Sequence, residues 1–207
     1  HQRVPPCLQH PKVVVARSQD HGDRGDAGKF FWVEEHEGVY LTVDDDIIYP
    51  TGYVGHLLMK IDQYKRAVVV GVHGSVFREP FESYQSRRMF HYKHALDRDT
   101  TVHALGTGTV AFHTSTIHVR REDFEAPNMA DIWFARLGQA QGVPFVAVER
   151  PGGWLEDVPY TESIYDASKA RSGSGADQGA LRDKVAGAIR WRLGRTKHAV
   201  RKKNDAS

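Results

Sequence analysis

The spacing of apolar residues predicts strands that alternate with helices. Three short apolar runs have the length and composition of buried strands: residues 13–15, 39–43 and 67–72. Between the second and third runs, apolar residues within 53–64 recur at the i, i+3, i+4 and i+7 spacing of an amphipathic helix, with Thr51 as its N-cap. This part of the chain therefore predicts strand, helix, strand.

Two further helices are predicted, each bounded by an N-cap residue and by a glycine that ends it: residues 27–37 between Asp26 and Gly38, and residues 129–141 between Asn128 and Gly142. Apolar runs at residues 102–113 and 144–148 add two more strands. Strands that alternate with helices are typical of an α/β fold, in which helices cover a mostly parallel sheet.

The C-terminal part differs in composition from the rest of the chain. Residues 168–179 are rich in Ser, Gly, Ala and Asp, which is typical of a flexible linker. Residues 180–207 predict a basic amphipathic helix followed by the solvated run Arg201-Lys202-Lys203. The apolar positions of that helix are Leu181, Val185, Ile189 and Trp191. We therefore divide the sequence into one domain, residues 1–167, a linker and a basic tail.

Charge is distributed unevenly over the 207 residues, although the formal net charge is only +2. Residues 178–207 hold nine Lys or Arg and two Asp, so the rest of the chain carries a net charge of −5. Nucleic-acid binders cluster basic residues on the folded body, so this distribution argues against a nucleic-acid partner. The single Cys7 excludes an internal disulfide, and no apolar run approaches the roughly 20 residues that span a bilayer.

The Asp triad, Asp44-Asp45-Asp46, is the strongest local signal for a functional site. It directly follows the predicted strand 39–43, and ligands bind at the carboxyl ends of strands in open α/β sheets. Three adjacent carboxylates repel one another, and a divalent cation that takes oxygen ligands would relieve the repulsion. The triad therefore predicts a metal site formed by Asp44 and Asp46. A polar turn with capping duties is the alternative.

Two further segments carry less specific signals. Residues 22–29 form a glycine-rich turn whose backbone N–H groups, together with Lys29, suit an anion. The pattern is not a P-loop, because Phe30 stands where Ser or Thr is required. Asp131 lies in the first turn of the predicted helix 129–141, where an acidic residue commonly serves only to stabilise the helix N-terminus.

A histidine and a glycine-rich run accompany two of the other predicted strands. His73 directly follows the strand 67–72, where the carboxyl edge of the sheet is expected. The residues Gly106, Thr107 and Gly108 lie within the run 102–113. Glycine there permits either the close approach of a ligand or a plain bulge.

Taken in order, four segments resemble a bacterial glycosyltransferase of the family 2 type, which has the GT-A fold. They are residues 40–50 (YLTVDDDIIYP), 70–74 (VGVHG), 105–109 (LGTGT) and 128–131 (NMAD), and the resemblance spans about residues 10–160. In such enzymes an Asp-x-Asp motif at a strand end holds a divalent metal and the nucleotide-sugar donor, and Asp44 and Asp46 match it. A later Asp near the start of a helix is the catalytic base, and Asp131 occupies that place.

The resemblance also implies which residues surround the donor. The expected donor-binding set is Asp26, Lys29, Asp44, Asp45, Asp46, His73, Gly106, Thr107 and Gly108. Two features depart from the family. Ala130 precedes Asp131 where most relatives have Glu, and the first strands of the family do not appear before His1. We therefore expect an N-terminally truncated GT-A domain that is part of a longer protein.

The activity implied by the resemblance is metal-dependent transfer of a sugar, with inversion, from a UDP- or GDP-sugar to a hydroxyl of a glycan or lipid-linked acceptor. Mn²⁺ or Mg²⁺ would be the cofactor, and the process would be polysaccharide or glycan assembly. The resemblance implies a cytoplasmic location, and the basic tail predicts peripheral contact with the inner face of the membrane. A solvated basic terminus is the alternative to that contact.

Two other functions fit parts of the sequence. A metal-dependent phosphohydrolase also places Asp-x-Asp after an apolar strand, but it requires Thr or Val where Ile48 stands. The later Lys and acidic pair of that class are not evident. A non-catalytic nucleotide- or carbohydrate-binding module would use the triad only to cap a loop.

Overall fold

The computed structural model describes residues 4–159 and 175–196. The strands in these ranges are Val39–Leu41 (β1), Ile47–Ile48 (β2), Val69–Gly71 (β3), Gly74–Phe77 (β4), Arg87–Phe90 (β5), Thr100–Val102 (β6), Ala104–Leu105 (β7), Val110–His113 (β8), Phe145–Ala147 (β9) and Glu156–Asp157 (β10). The α-helices are Tyr53–Gln63 (α1), Ala130–Gln141 (α2) and Gly175–Gly187 (α3). Short 3₁₀ helices lie at Pro6–Leu8, Ser18–Asp20, Gly25–Phe30, Val33–Glu35 and Arg121–Asp123.

A five-stranded sheet with the order β1-β8-β3-β9-β6 forms the centre of the fold. Only β3 and β9 pair in parallel, and the other three pairs are antiparallel. The prediction of an α/β fold is confirmed, whereas the prediction of a mostly parallel sheet is wrong. Strand β8 lies between β1 and β3 and runs against both, so the two strands joined by α1 are not neighbours.

The mixed sheet follows from the way the predicted strand 102–113 divides. Its first residue, Val102, ends β6, and its other residues form β7 and β8. Strands β7 and β8 belong to different sheets. A turn at residues 106–109, closed by a hydrogen bond from the Thr109 N–H to the Gly106 carbonyl (3.0 Å), separates β7 from β8. Strand β7 joins a second sheet with the order β5-β4-β7, and β2 pairs with β10 in a third. The glycines of this run therefore permit a turn between two sheets.

Two predicted helices are confirmed, with N-cap residues that differ from the predicted ones. Gly52 precedes α1 in place of Thr51, and no side chain caps the helix. Met129 precedes α2, because Asn128 adopts a left-handed backbone (φ 58°) that an N-cap residue does not use. Gly142 ends α2 in the left-handed conformation (φ 68°), as predicted.

Two other predictions are wrong. Residues 13–15 form no strand among the described residues, and Val14 is 76% exposed, so this run buries little apolar surface. Residues 27–37 form two 3₁₀ helices, Gly25–Phe30 and Val33–Glu35, in place of one α-helix. Phe30 is buried there against Phe124 and Phe134, with ring centroids 4.8 and 5.0 Å apart, so tertiary packing fixes the local backbone.

Helices α1 and α2 cover opposite faces of the central sheet, because successive residues of β3 point to opposite sides. Val70 packs with Leu57 and Ile61 of α1 in one apolar cluster. Val69 belongs to a second cluster with Phe134 of α2. The two clusters hold the sheet between the helices, with the carboxyl end of β1 left open.

Helix α3 packs against the body of the protein. Ala186 and Trp191 are buried, and the Trp191 ring lies 4.5 Å from that of Phe77. The helix begins at Gly175, so residues 175–179 of the predicted linker are helical. Residues 168–174 and the run 201–203 lie outside the described residues.

Most of the apolar residues that were predicted to face a membrane pack within the fold instead. Val185 and Ile189 pack against the core, while Leu181 stays partly exposed. Within the described ranges, every helix is too short or too polar to cross a bilayer.

Candidate functional site

A cleft of about 1330 Å³ lies beyond the carboxyl end of β1. Its lining comes from residues within 14–32, the Asp triad, Thr107, Arg121, Asn128 and Asp131 at the start of α2, and Gln178 of α3. We call it the triad cleft. The predicted site residues that line it are Asp26, Lys29, Asp44, Asp45, Asp46, Thr107 and Asp131. The fold therefore brings together residues that are up to 105 positions apart in the sequence.

Side chains and backbone groups fix the triad to the turn at residues 106–109. The Tyr49 hydroxyl accepts a hydrogen bond from the Asp44 N–H (2.8 Å) and donates one to the Gly108 carbonyl (2.6 Å). The buried Thr42 hydroxyl donates to the Thr107 carbonyl. Burial raises the pKa of Tyr49, which keeps its hydroxyl protonated for this bridging role. Sequence reasoning missed Thr42 and Tyr49, although both flank the triad within the segment 40–50.

Asp44 lies against the backbone of Gly108. A Cβ atom placed on Gly108 would overlap the Asp44 carboxylate, so residue 108 must be glycine for Asp44 to keep this position. Asp44 also forms an ion pair with Lys29, whose side chain is 16% exposed. Two predicted donor-binding residues, Lys29 and Gly108, therefore position the first carboxylate of the triad.

The other two triad residues are mostly exposed, Asp46 being partly covered by its neighbours, and they form no ion pair within the described residues. The backbone carbonyl of Asp46 accepts a hydrogen bond from Val158, next to the β2–β10 pair. Partial burial, followed by the charges of Asp44 and Asp45, raises the pKa of Asp46. After the larger effect of burial, the neighbouring carboxylates thus act on Asp46 in the direction expected for mutual repulsion.

Asp131 contacts the same turn at the neighbouring residue, Thr107. Its Oδ1 accepts hydrogen bonds from the Thr107 N–H (2.8 Å) and the Thr107 hydroxyl (2.7 Å). Its Oδ2 makes no hydrogen bond to the residues that the structure describes. The carboxylate is thus held by a neighbouring loop, not by the N–H groups of its own helix, which argues against a purely capping role.

Asp26 caps helix α2 from a distant part of the sequence. Its Oδ2 accepts a hydrogen bond from the Ala130 N–H (2.9 Å), whereas we predicted that it would cap its own segment. Its Oδ1 is buried and has no hydrogen-bond partner in the described part of the chain. Burial raises the pKa of Asp26, and the nearby charge of Asp131 acts in the same direction. Asp26 is therefore a second carboxyl group beside Asp131.

His73 lies behind the turn at residues 106–109 and does not line the triad cleft. Its carbonyl accepts a hydrogen bond from the Gly106 N–H (2.9 Å), and a side chain on Gly106 would press on the imidazole. Burial lowers the pKa of His73 to about 4, despite the opposing charge of Asp131. His73 is thus a neutral supporting residue at physiological pH, separated from the cleft by Gly106.

The site holds carboxylate oxygens suited to a hard divalent cation, but the described ranges contain no group of three His, Cys, Asp or Glu side chains arranged to hold a metal ion. The chain matches no protein-family model, and no curated protein matches its sequence.

Proposed function

We propose that this protein is a metal-dependent glycosyltransferase that moves a sugar, with inversion, from a UDP- or GDP-sugar to an acceptor hydroxyl. One observation carries the proposal: two consecutive residues, Thr107 and Gly108, contact Asp131 and Asp44. The triad and a separate carboxylate therefore line one cleft, as the reaction requires. The family 2 resemblance and its GT-A fold belong to the same proposal.

The donor set of the triad suits Mn²⁺ or Mg²⁺, because both ions take carboxylate oxygens. Asp44 and Asp46 would hold the ion, and its positive charge would stabilise the diphosphate that leaves the sugar. Partial burial and the neighbouring carboxylates raise the pKa of Asp46, and a bound cation would remove that repulsion. Lys29, which pairs with Asp44, would contribute its positive charge to the diphosphate when the cation takes its place beside Asp44.

Asp131 is the proposed general base. The acceptor oxygen forms a bond to the anomeric carbon while the bond to the diphosphate oxygen breaks, and the hydroxyl proton passes to Asp131. The hydrogen bonds from Thr107 occupy Oδ1, so Oδ2 is the oxygen that would take the proton. Thr107 thereby orients the carboxylate towards the acceptor side of the cleft.

The proposed acceptor is a glycan or a lipid-linked saccharide, in polysaccharide assembly on the cytoplasmic side of a membrane. Peripheral membrane contact would depend mainly on the basic residues near the C-terminus, because Trp191 is buried in the fold.

Nucleotide release from a panel of UDP- and GDP-sugars with Mn²⁺ tests this function. Asp131→Asn keeps the shape of the side chain and an oxygen for Thr107, and should lower release about 10²- to 10⁴-fold while leaving UDP affinity unchanged. Asp62→Asn, at an exposed position of α1, is the matched control and should release nucleotide at the normal rate. A normal rate in Asp131→Asn would show that Asp131 is not the base.

A further inference from the structure

Two arginines contact the ring of one buried tyrosine, Tyr84. The guanidinium carbon of Arg87 lies 4.1 Å from the centroid of the Tyr84 ring, and that of Arg182 lies 5.1 Å from it. Arg87 comes from β5 and Arg182 from α3. The Tyr84 N–H donates to the Asp183 carboxylate (2.7 Å), which fixes α3 against this loop. We call Arg87 and Arg182 the arginine pair.

The arginine pair has no carboxylate partner within the described residues. Neither guanidinium comes within 4.0 Å of a described Asp or Glu oxygen, and the Arg87 Nε is buried without a hydrogen-bond partner. Two cations beside one ring repel each other, and the attraction of the ring for each compensates only part of that cost. An anion bound to both would reduce the repulsion.

Helix α3 connects the arginine pair to the triad cleft, because it carries both Arg182 and the cleft residue Gln178. Burial raises the pKa of Tyr84 to about 12, with the charges of Asp131 and Asp26 acting in the same direction and those of the two arginines opposing them. By contrast, the charges that affect the pKa of Asp46 are those of Asp44, Asp45 and Lys29, and the two arginines are not among them. Gln178 lies one turn before Arg182 on α3 and lines the cleft.

We propose that Arg87 and Arg182 bind an anionic group, phosphate or carboxylate, of the acceptor. Guanidinium groups match the geometry of both oxyanions through paired N–H donors. The acceptor would place its hydroxyl at Asp131 and its negative group at the arginine pair, with α3 forming that wall of the site. This inference rests on the proposed function for its assignment to the acceptor, but not for anion binding itself.

Titration of the full chain with inorganic phosphate, followed by the Nε–H signals of its arginines in ¹H–¹⁵N spectra, tests the proposal. The Arg87 and Arg182 signals should shift together and saturate. Arg182→Gln should weaken phosphate affinity at this site about tenfold or more, the loss expected for one charge-assisted hydrogen bond. Because Arg182 makes no hydrogen bond to the described residues, this variant should stay folded, whereas Arg87 also donates to the Tyr84 carbonyl.

Arg88→Gln is the matched control. Arg88 lies on the same strand, is exposed and has its guanidinium 4.9 Å from the Phe90 ring, so its loss should not change phosphate affinity. Absence of a saturable shift in the unmodified protein, or equal affinity in Arg182→Gln, would overturn the arginine site. A parallel titration with acetate measures the preference between phosphate and carboxylate.

A second titration, with saturating UDP and Mn²⁺ present, distinguishes acceptor from donor. Phosphate should still shift the signals of the arginine pair, because the donor diphosphate would lie at the triad. Displacement of phosphate by UDP would overturn the assignment to the acceptor. Failure of UDP to bind at all would count against the proposed function and would leave the phosphate titration as a valid test of the anion site.

Discussion

Replacement of Gly108 by alanine should move Asp44 without unfolding the protein. The new Cβ would overlap the Asp44 carboxylate, which is the end of a side chain and can rotate away. Rotation would break the ion pair with Lys29, a part-exposed contact with a contribution of about 0.2–1 kcal/mol. An unfavourable rotamer adds about 0.5–1.5 kcal/mol. The expected loss in the free energy of unfolding is therefore about 1–2 kcal/mol.

The effect of Gly108→Ala on ligand binding should be larger than its effect on stability. If Asp44 helps to hold the metal, its displacement should weaken Mn²⁺-dependent UDP binding about 10- to 100-fold. Calorimetric titration gives the affinity, and urea unfolding gives the stability of the same samples. Gly55→Ala is the control, because nothing lies within 4 Å of its Cβ, and it should raise stability by about 0.5–1 kcal/mol with unchanged UDP affinity. Wild-type UDP affinity in Gly108→Ala would refute a role for the position of Asp44.

Two further predictions concern stability. Lys60→Met should reduce the free energy of unfolding, measured in urea titrations, by about 3 kcal/mol. The reason is that Lys60 is buried and donates hydrogen bonds to Asp99 and Glu149 at 2.9 and 2.8 Å. A loss below about 1 kcal/mol would contradict this prediction. Burial lowers the pKa of His73 to about 4, so this residue binds a proton more readily in the unfolded state than in the folded state. The free energy of unfolding should therefore fall as the pH drops from about 6.5 towards 4, with at most about 3 kcal/mol of that loss due to His73. His73→Asn should flatten that pH profile, whereas His118→Asn, at an exposed position, should not. Equal slopes in the two variants would count against a neutral, half-buried His73.

Local periodicity was sufficient to predict β1, α1 and α2, because each depends on residues close in sequence. The order of the strands depends on the turn at residues 106–109, which passes the chain from β7 to β8 in another sheet. Glycine in a strand-like run is compatible with a bulge, a ligand contact or a turn, and only the packed sheets decide among them. The spacing of apolar residues therefore could not predict the mixed topology of the central sheet.

The part of the candidate site formed by residues adjacent in the sequence, the Asp triad, could be predicted. The arrangement of Asp26 and Asp131 was not, because the hydrogen bonds that define it join residues 104 and 24 positions apart. The same holds for α3, whose basic, amphipathic sequence suggested contact with a membrane surface or a solvated terminus. Ala186 and Trp191 bury enough surface against the body to dock it, and the sequence spacing of these two residues does not reveal that contact.

Calorimetric titration of UDP and of GDP, with Mn²⁺ and again with EDTA, tests the central proposal most directly. The unmodified protein should bind one of the two nucleotides with Mn²⁺ and lose that binding in EDTA. Asp46→Asn should lose the Mn²⁺-dependent part, while the control Asp62→Asn should keep it. Nucleotide binding that is equal in Mn²⁺ and EDTA, or unchanged in Asp46→Asn, would contradict a metal-dependent donor site at the triad.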